Sequence, residues 1–311
     1  MKIQQAFTQK EKRFLKGGLH CHTTRSDGRL TPEEAINCAK EYGYDFLAIT
    51  DHQVYTMQQY APETDVITIP GVELGNDLVK GHGFRCYHTV CLGPTKEDGN
   101  GFDHDQRFDW CYAPNAEAYQ PYLDEIHQNN NLTILAHPIW SQTSAKYFEN
   151  LKGNFAMEIW NTGSSIGGDN DAAYWDEILG QGKVCYGVAT DDAHSYKEMC
   201  KGWVMVKADK DINSILEALK NGEFYSSCGP EIYNFYIEDG KAIIDCSPVK
   251  TIRLQSDMHP TRIENDEDGN LTHAEFDVEK FWAGPYDYVR MSVIDKDGKK
   301  AWTNPIFLEN K

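Results

Sequence analysis

The sequence lacks any apolar run long enough to cross a bilayer, and its mean hydropathy is -0.60. Residues 1–18 carry lysines but no apolar core of a signal peptide, so a cytoplasmic location away from membranes is expected. No CxxC pair occurs among the nine scattered cysteines, which argues against zinc held by a cysteine cluster and reads as reduced, mostly buried thiols. Low-complexity segments and internal repeats are also missing. Positive charge is scarce: 30 Lys and Arg against 48 Asp and Glu leave a formal net charge of -18. Such a charge repels nucleic acid unless bound divalent cations invert it locally. A long duplex is therefore not the expected partner, whereas a small anionic substrate held through metal is compatible.

What is present is globular. Apolar residues make up 40% and charged residues 25% of 311, a length that suits one barrel or one barrel with an appendage. Up to about residue 230, short apolar runs alternate with amphipathic helical patterns. Strands are expected at 18–22, 46–50, 66–69, 86–92, 133–136, 156–160 and 184–189. Thr31-Pro32-Glu33-Glu34 is a capping box opening a helix that stops at Gly43, and further helices are expected at 115–128, 171–180 and 211–222. This alternation implies an α/β fold with a parallel sheet or barrel. After Gly229-Pro230 the helical period disappears. Strands at 234–237, 242–245, 251–255, 273–278 and 288–294, with turns at Asp239-Gly240, Asp268-Gly269 and Asp297-Gly298, predict a small sandwich-like all-β domain over 231–311.

Metal-ligating residue types recur through the first part. His20-x-His22 comes first, and in extended chain i and i+2 share a face. Asp27 follows in Ser26-Asp27-Gly28, His52 in Thr50-Asp51-His52, Glu73 in Gly71-Val72-Glu73, His88 in a strand-like run, His137 in Ala136-His137-Pro138, and Asp192 and His194 in Asp191-Asp192-Ala193-His194. Most lie at or just past the end of an apolar run, and in a parallel barrel those ends meet on one face. Unpaired carboxylates gathered there would repel one another, and divalent cations resolve that conflict. Mixed His and carboxylate ligands suit Mn, Fe or Zn better than Ca or Mg. Nine ligands exceed the needs of one ion and fit two or three sharing a carboxylate, which makes hydrolysis the natural reaction class. Asp191 competes with Asp192, although the D-x-H spacing favours Asp192, and His82 competes with His88.

Leu19-His20-Cys21-His22-Thr23, Ser26-Asp27-Gly28, Ile49-Thr50-Asp51-His52, Gly71-Val72-Glu73, Ala136-His137-Pro138 and Asp192-Ala193-His194, in this order, resemble the polymerase and histidinol phosphatase (PHP) family of metal-dependent phosphoesterases, relatives of the amidohydrolases. The resemblance covers roughly residues 17 to 230 and implies a distorted (β/α)7 barrel. It implies one ion on His20, His22, Glu73 and Asp192, a second on Glu73, His88 and His137, and a third on Asp27, His52 and His194. It also implies hydrolysis of a phosphate ester of a small metabolite or nucleotide by a metal-bridging hydroxide, with His20, Glu73, Asp192 and His194 in the catalytic set.

Other residues are weighed against plainer roles. Arg25 lies between His22 and Asp27 and is a candidate phosphate contact, or a solvated loop arginine. Asp51 is expected to orient a ligating imidazole. Glu158 and Asn161 end a strand and either touch substrate or satisfy the rim. Arg107 sits in an acidic loop expected to face solvent. His104, His127, His259 and His273 read as hydrogen-bonded rather than ligating. The other readings carried forward are a metal-dependent C–N hydrolase on the same barrel and a non-catalytic metal-binding module.

Overall fold

The computed structural model describes residues 4–80, 85–95, 101–164, 172–258, 262–278 and 287–308. The first part of the chain contains Gln4–Gln5 (β1), Phe14–Gly18 (β2), Pro32–Glu41 (α1), Phe46–Ala48 (β3), Ile67–Ile69 (β4), Gly71–Asp77 (β5), Cys86–Leu92 (β6), Cys111–Tyr112 (β7) and Ala116–Gln128 (α2). Leu132–Ala136 (β8), Asn154–Asn161 (β9), Ala172–Leu179 (α3), Tyr186–Thr190 (β10), Trp203–Lys207 (β11), Ile212–Lys220 (α4) and Phe224–Ser227 (β12) follow. The remainder is all strand: Ile232–Glu238 (β13), Lys241–Val249 (β14), Thr251–Ser256 (β15), Arg262–Asn265 (β16), Leu271–Asp277 (β17), Tyr288–Ile294 (β18), Lys300–Thr303 (β19) and Ile306–Phe307 (β20).

Local chemistry accounts for the helix ends. Thr31 Oγ1 accepts from the Glu34 amide at 3.2 Å while Glu34 Oε2 accepts from the Thr31 amide at 2.8 Å, with Pro32 at the first helical position. Gly43, at φ +75°, takes the left-handed turn that ends α1. Asn115 and Asp211 cap α2 and α4 in the same way. Asp171, expected to open α3, lies outside the described residues.

One sheet runs β10-β9-β8-β6-β5-β7 and a second β16-β15-β18-β19-β12-β11-β2-β3-β4. Strands β2, β3 and β4 are mutually parallel, as are β8, β9 and β10. Between them the expected alternation breaks: β5 follows β4 across Pro70 alone, and β5, β6 and β8 pair antiparallel with no described helix from β4 to β6. The parallel pairs flank an antiparallel centre, so the sheet is mixed. Parallel bridges Cys21↔Ala193 and His52↔Glu73 link the two sheets just beyond the strand ends. The expected strand at 18–22 lies earlier, at β2, which leaves His20 and His22 just past its end.

The C-terminal strands fold into a sandwich. Sheet β1-β13-β14-β17 faces β16-β15-β18-β19 across a core that includes Phe7, Phe235, Ile244, Ile252 and Val293. Asp239 and Gly240, at φ 53° and 73°, form the tight turn joining β13 to β14. The sandwich shares a sheet with the first part through β19 and β12, and β1 pairs with β13. Buried Arg290 closes the junction: its Nε and Nη2 donate to the Asp176 carboxylate at 2.7 and 2.6 Å, and its guanidinium lies over Trp175. Among the described residues, no helix is long and apolar enough to cross a membrane.

Candidate metal centre

The two bridges between the sheets gather the chemistry-bearing residues. His20 and His22 follow β2, His52 follows β3, Glu73 and His88 lie within β5 and β6, His137 follows β8, and Asp192 and His194 follow β10. Asp27 reaches in from the loop after His22, held where Gly28 packs against the His22 carbonyl; a Cβ there would sit 2.4 Å from that backbone. All nine expected ligands come together. Glu73 stands inside a strand rather than at the end of one.

Glu73 is fully buried at the centre. Its Oε1 lies 3.1 Å from His88 Nδ1, 3.0 Å from His137 Nε2 and 3.4 Å from His20 Nε2. Its Oε2 lies 3.2 Å from His22 Nε2 and 3.0 Å from His52 Nδ1. Asp192 Oδ1 faces His22 Nε2 at 3.0 Å and His20 Nε2 at 3.3 Å. Toward solvent, Asp27 faces His194 Nε2 at 3.5 Å and His52 Nε2 at 3.8 Å. Three sets have ligand atoms within 4.8 Å of one another: His20, His22, Glu73 and Asp192; His52, Glu73 and His88; and His22, Asp27, His52 and His194. The first is the set expected for one ion. In the second His52 stands where His137 was expected, and in the third His22 joins the expected residues. Shared members make this one connected centre.

The donor chemistry fits cations. Glu158 Oε1 lies 2.7 Å from His20 Nδ1, so that nitrogen carries the proton and Nε2 turns a lone pair toward Glu73 and Asp192. His194 Nδ1 donates to the Asp192 carbonyl at 2.9 Å, which leaves its Nε2 lone pair facing Asp27. Lone pairs aimed at carboxylate oxygens repel unless a cation lies between them or a further proton is taken up. Glu73 Oε2, His52 Nδ1 and His88 Nε2 are buried and, among the described residues, make no well-aligned hydrogen bond despite the 3.0 Å approach of the first two.

Electrostatics without the ions show the same tension. Burial alone would lower the His20 and His22 imidazoles, but the surrounding carboxylates more than offset it, and His22 rises to about 9. His88 is driven up to about 10 by Glu73 against the same burial. Burial opposes ionisation of Glu73, yet the ring of histidines holds it well below the usual carboxylate range. The His194 contact does the same for Asp27. Three residues at or beside the centre take left-handed backbone, His137 at φ 26°, Asp192 at φ 49° and Gln53 at φ 57°.

Neighbouring residues hold the ligands. Glu158, fully buried, binds His20, accepts from the His137 amide at 2.8 Å and from Thr190 Oγ1 at 2.7 Å, and takes a hydrogen bond from Asn161. It therefore orients imidazoles instead of facing solvent. Asp51, expected in that role, braces the Asp27 loop, accepting from the Thr23 amide, Thr23 Oγ1 and Ser26 Oγ. Asp191 accepts from the amides of Cys200, Lys201 and Gly202, and burial pushes it up to about 6. It anchors a loop, and Asp192 alone of the doublet faces the cluster. Arg25 is not among the nine: it donates to Asp105 at 2.7 Å, the Tyr60 hydroxyl at 3.0 Å and the Tyr55 carbonyl. Those partners hold its guanidinium against the Asp105 loop, with Nε 4.0 Å from Asp51 Oδ2.

The other histidines have separate partners. His104 Nδ1 accepts from the Met57 amide, His127 meets Thr133, and His273 meets Asp245. His82 and His259 lie outside the described residues, and Arg107 is exposed as expected.

The model of the PHP domain family matches residues 18–225. A 5'-3' exoribonuclease (Rnm) of Escherichia coli is 45% identical over 64 residues, which span 18% of this chain and 21% of the relative's length. A two-domain Bacteroides vulgatus protein, described as containing a predicted PHP-like metal-dependent phosphoesterase, aligns over 96% of both chains with a TM-score of 0.50 at 13% identity. A lesion-specific endonuclease from Pyrococcus furiosus covers 67% of this chain and 56% of its own, with a TM-score of 0.42 at 16% identity.

Proposed function

The chain belongs to the PHP domain family, and from that premise we propose that it hydrolyses phosphate esters of a small metabolite or nucleotide at a centre of two or three divalent ions. The observation that carries this reading is Glu73, one buried carboxylate encircled by five imidazoles, with Asp27, His52 and His194 forming a further group toward solvent. That further group favours phosphate over C–N hydrolysis, because it supplies ligands beyond those a simpler site needs. Mn, Fe or Zn would be held by His20, His22, Asp27, His52, Glu73, His88, His137, Asp192 and His194. When bound, such ions activate water at neutral pH and neutralise the phosphoryl oxygens.

The chain's own residues do the positioning. Glu73 is shared by two of the three ligand sets, so it would be the residue to hold two ions together. Glu158 fixes the His20 ring so that Nε2 faces inward, and Asn161 Nδ2 steadies Asp192 Oδ2 at 3.3 Å. Asp27 and His194 have side chains 57% and 34% exposed, against 1% for Glu73, so substrate enters from their side. No Ser or Cys nucleophile is required. The distorted (β/α)7 closure of the first part, a boundary near residue 230 and a cytoplasmic location complete the proposal. The net charge of -18 favours a small phosphorylated substrate over a long nucleic acid.

The test is elemental analysis of protein purified without chelator, followed by assay on phosphomonoesters and cyclic phosphates. Two to three ions per chain with phosphate release support the reading. One ion or none, with no hydrolysis after Mn loading, overturns it.

A further inference from the structure

Two tryptophans flank the buried imidazoles. Trp110 packs 5.6 Å from the His88 ring and 6.3 Å from His52, between ring centroids. Trp140 approaches His88 at 5.7 Å and His137 at 4.9 Å. Trp140 is half-buried, but Trp110 is 47% exposed. A large aromatic surface left in water beside a polar centre has a cost, and the chain holds it there with dedicated contacts.

Those contacts are specific. Gly75 lies under the indole, where a Cβ would sit 2.4 Å from the Trp110 ring. Gln53, next to His52 and in the left-handed region at φ 57°, ties three segments together. Its Nε2 donates to the Asp109 carbonyl at 2.7 Å, its Oε1 accepts from the Gly75 amide at 2.8 Å, and its carbonyl accepts from the Phe108 amide at 3.0 Å. Trp110 is thereby fixed to the strand that carries Glu73 and to the loop that carries His52. A core tryptophan would need none of this exposure, and a surface one none of this bracing.

We infer that Trp110, with Trp140 beside the same imidazoles, is a stacking platform that selects phosphate esters whose organic part carries a flat aromatic ring, such as a nucleobase or an aryl group. This inference rests on the phosphoesterase reading above and names the substrate class it leaves open. A π-face offered beside the ion-binding residues lets a planar group stack while its phosphate reaches the centre.

The experiment compares wild type, Trp110→Ala and Trp110→Phe, all metal-loaded, on a purine nucleoside monophosphate and on glycerol phosphate. Trp110→Ala is expected to lower the ratio of kcat/KM for the nucleotide over that for glycerol phosphate by roughly tenfold or more, mostly through KM. Trp110→Phe is expected to recover most of that ratio. An unchanged ratio overturns the inference, because the indole would then only support the histidines. If wild type hydrolyses neither ester, the phosphoesterase reading is in question and stacking is judged separately by tryptophan fluorescence. Saturable quenching by the nucleotide that is absent with glycerol phosphate and reduced in amplitude in Trp110→Phe supports the platform; no such quenching overturns it.

Discussion

Glu73 makes contact with five imidazoles and belongs to two of the three ligand sets, so its loss should be felt at both of them. Glu73→Gln is expected to reduce bound metal by more than one ion per chain and to lower hydrolysis by about 100-fold or more, read by elemental analysis and phosphate release. Glu158 acts one step back. Glu158→Gln keeps the shape but weakens the hold on His20, and it should lower metal affinity about 10- to 100-fold while leaving the stoichiometry reachable at high metal. Ions bind only deprotonated imidazole nitrogens, so loading must release protons and apparent affinity must fall from pH 8 to pH 6. Titration of apoprotein with Mn at several pH values measures this, and a flat affinity would contradict it. The candidate ligands could be picked out in the sequence because most sit in a short motif of unusual residue type, and the fold brings them together. The roles of Glu158, Asp51 and Arg25 were not, since a carboxylate or guanidinium beside a metal ligand looks the same whichever way it points. Only packing shows Glu158 turned to His20 and Arg25 drawn to Asp105.

Helices were read almost to the residue, because their end signals are local. The Thr31 and Glu34 exchange illustrates this: Thr31→Ala removes one half of a capping box and should cost about 1 kcal/mol, visible as a fall in Tm of roughly 2–4 °C with metal content unchanged. Strands were read less well. Six of the seven residues of β5 are buried, so no alternation marks it, and its two glycines resemble a loop. It becomes a strand through pairing with β6 along its whole length. That pairing is antiparallel, which is why a pattern that reads as repeated β/α units folds into a mixed sheet. The glycine at 75, which weakens β5 as a strand signal, is the same residue that makes room for the Trp110 indole.

The two parts of the molecule share a sheet, an ion pair and a core, so they should unfold together. Arg290 is fully buried against Asp176, and Arg290→Ala removes that carboxylate's charge partner, leaving the Tyr288 hydroxyl at 3.0 Å, and strips the guanidinium from over Trp175. A loss of about 3 kcal/mol is expected, in a single calorimetric transition rather than two. Removing residues 231–311 would bare the edge of β12 and strip Phe7 of its core, and the remaining chain is expected to aggregate instead of folding as an enzyme. The texture change after Gly229-Pro230 was visible in the sequence, but the debt of the N-terminus to the far end was not, since two residues of strand carry no pattern. Gln4 pairs with Ile237. During synthesis, every candidate metal ligand leaves the ribosome while that first strand still waits for its partner, so the N-terminal segment joins its sheet only after β13 has emerged.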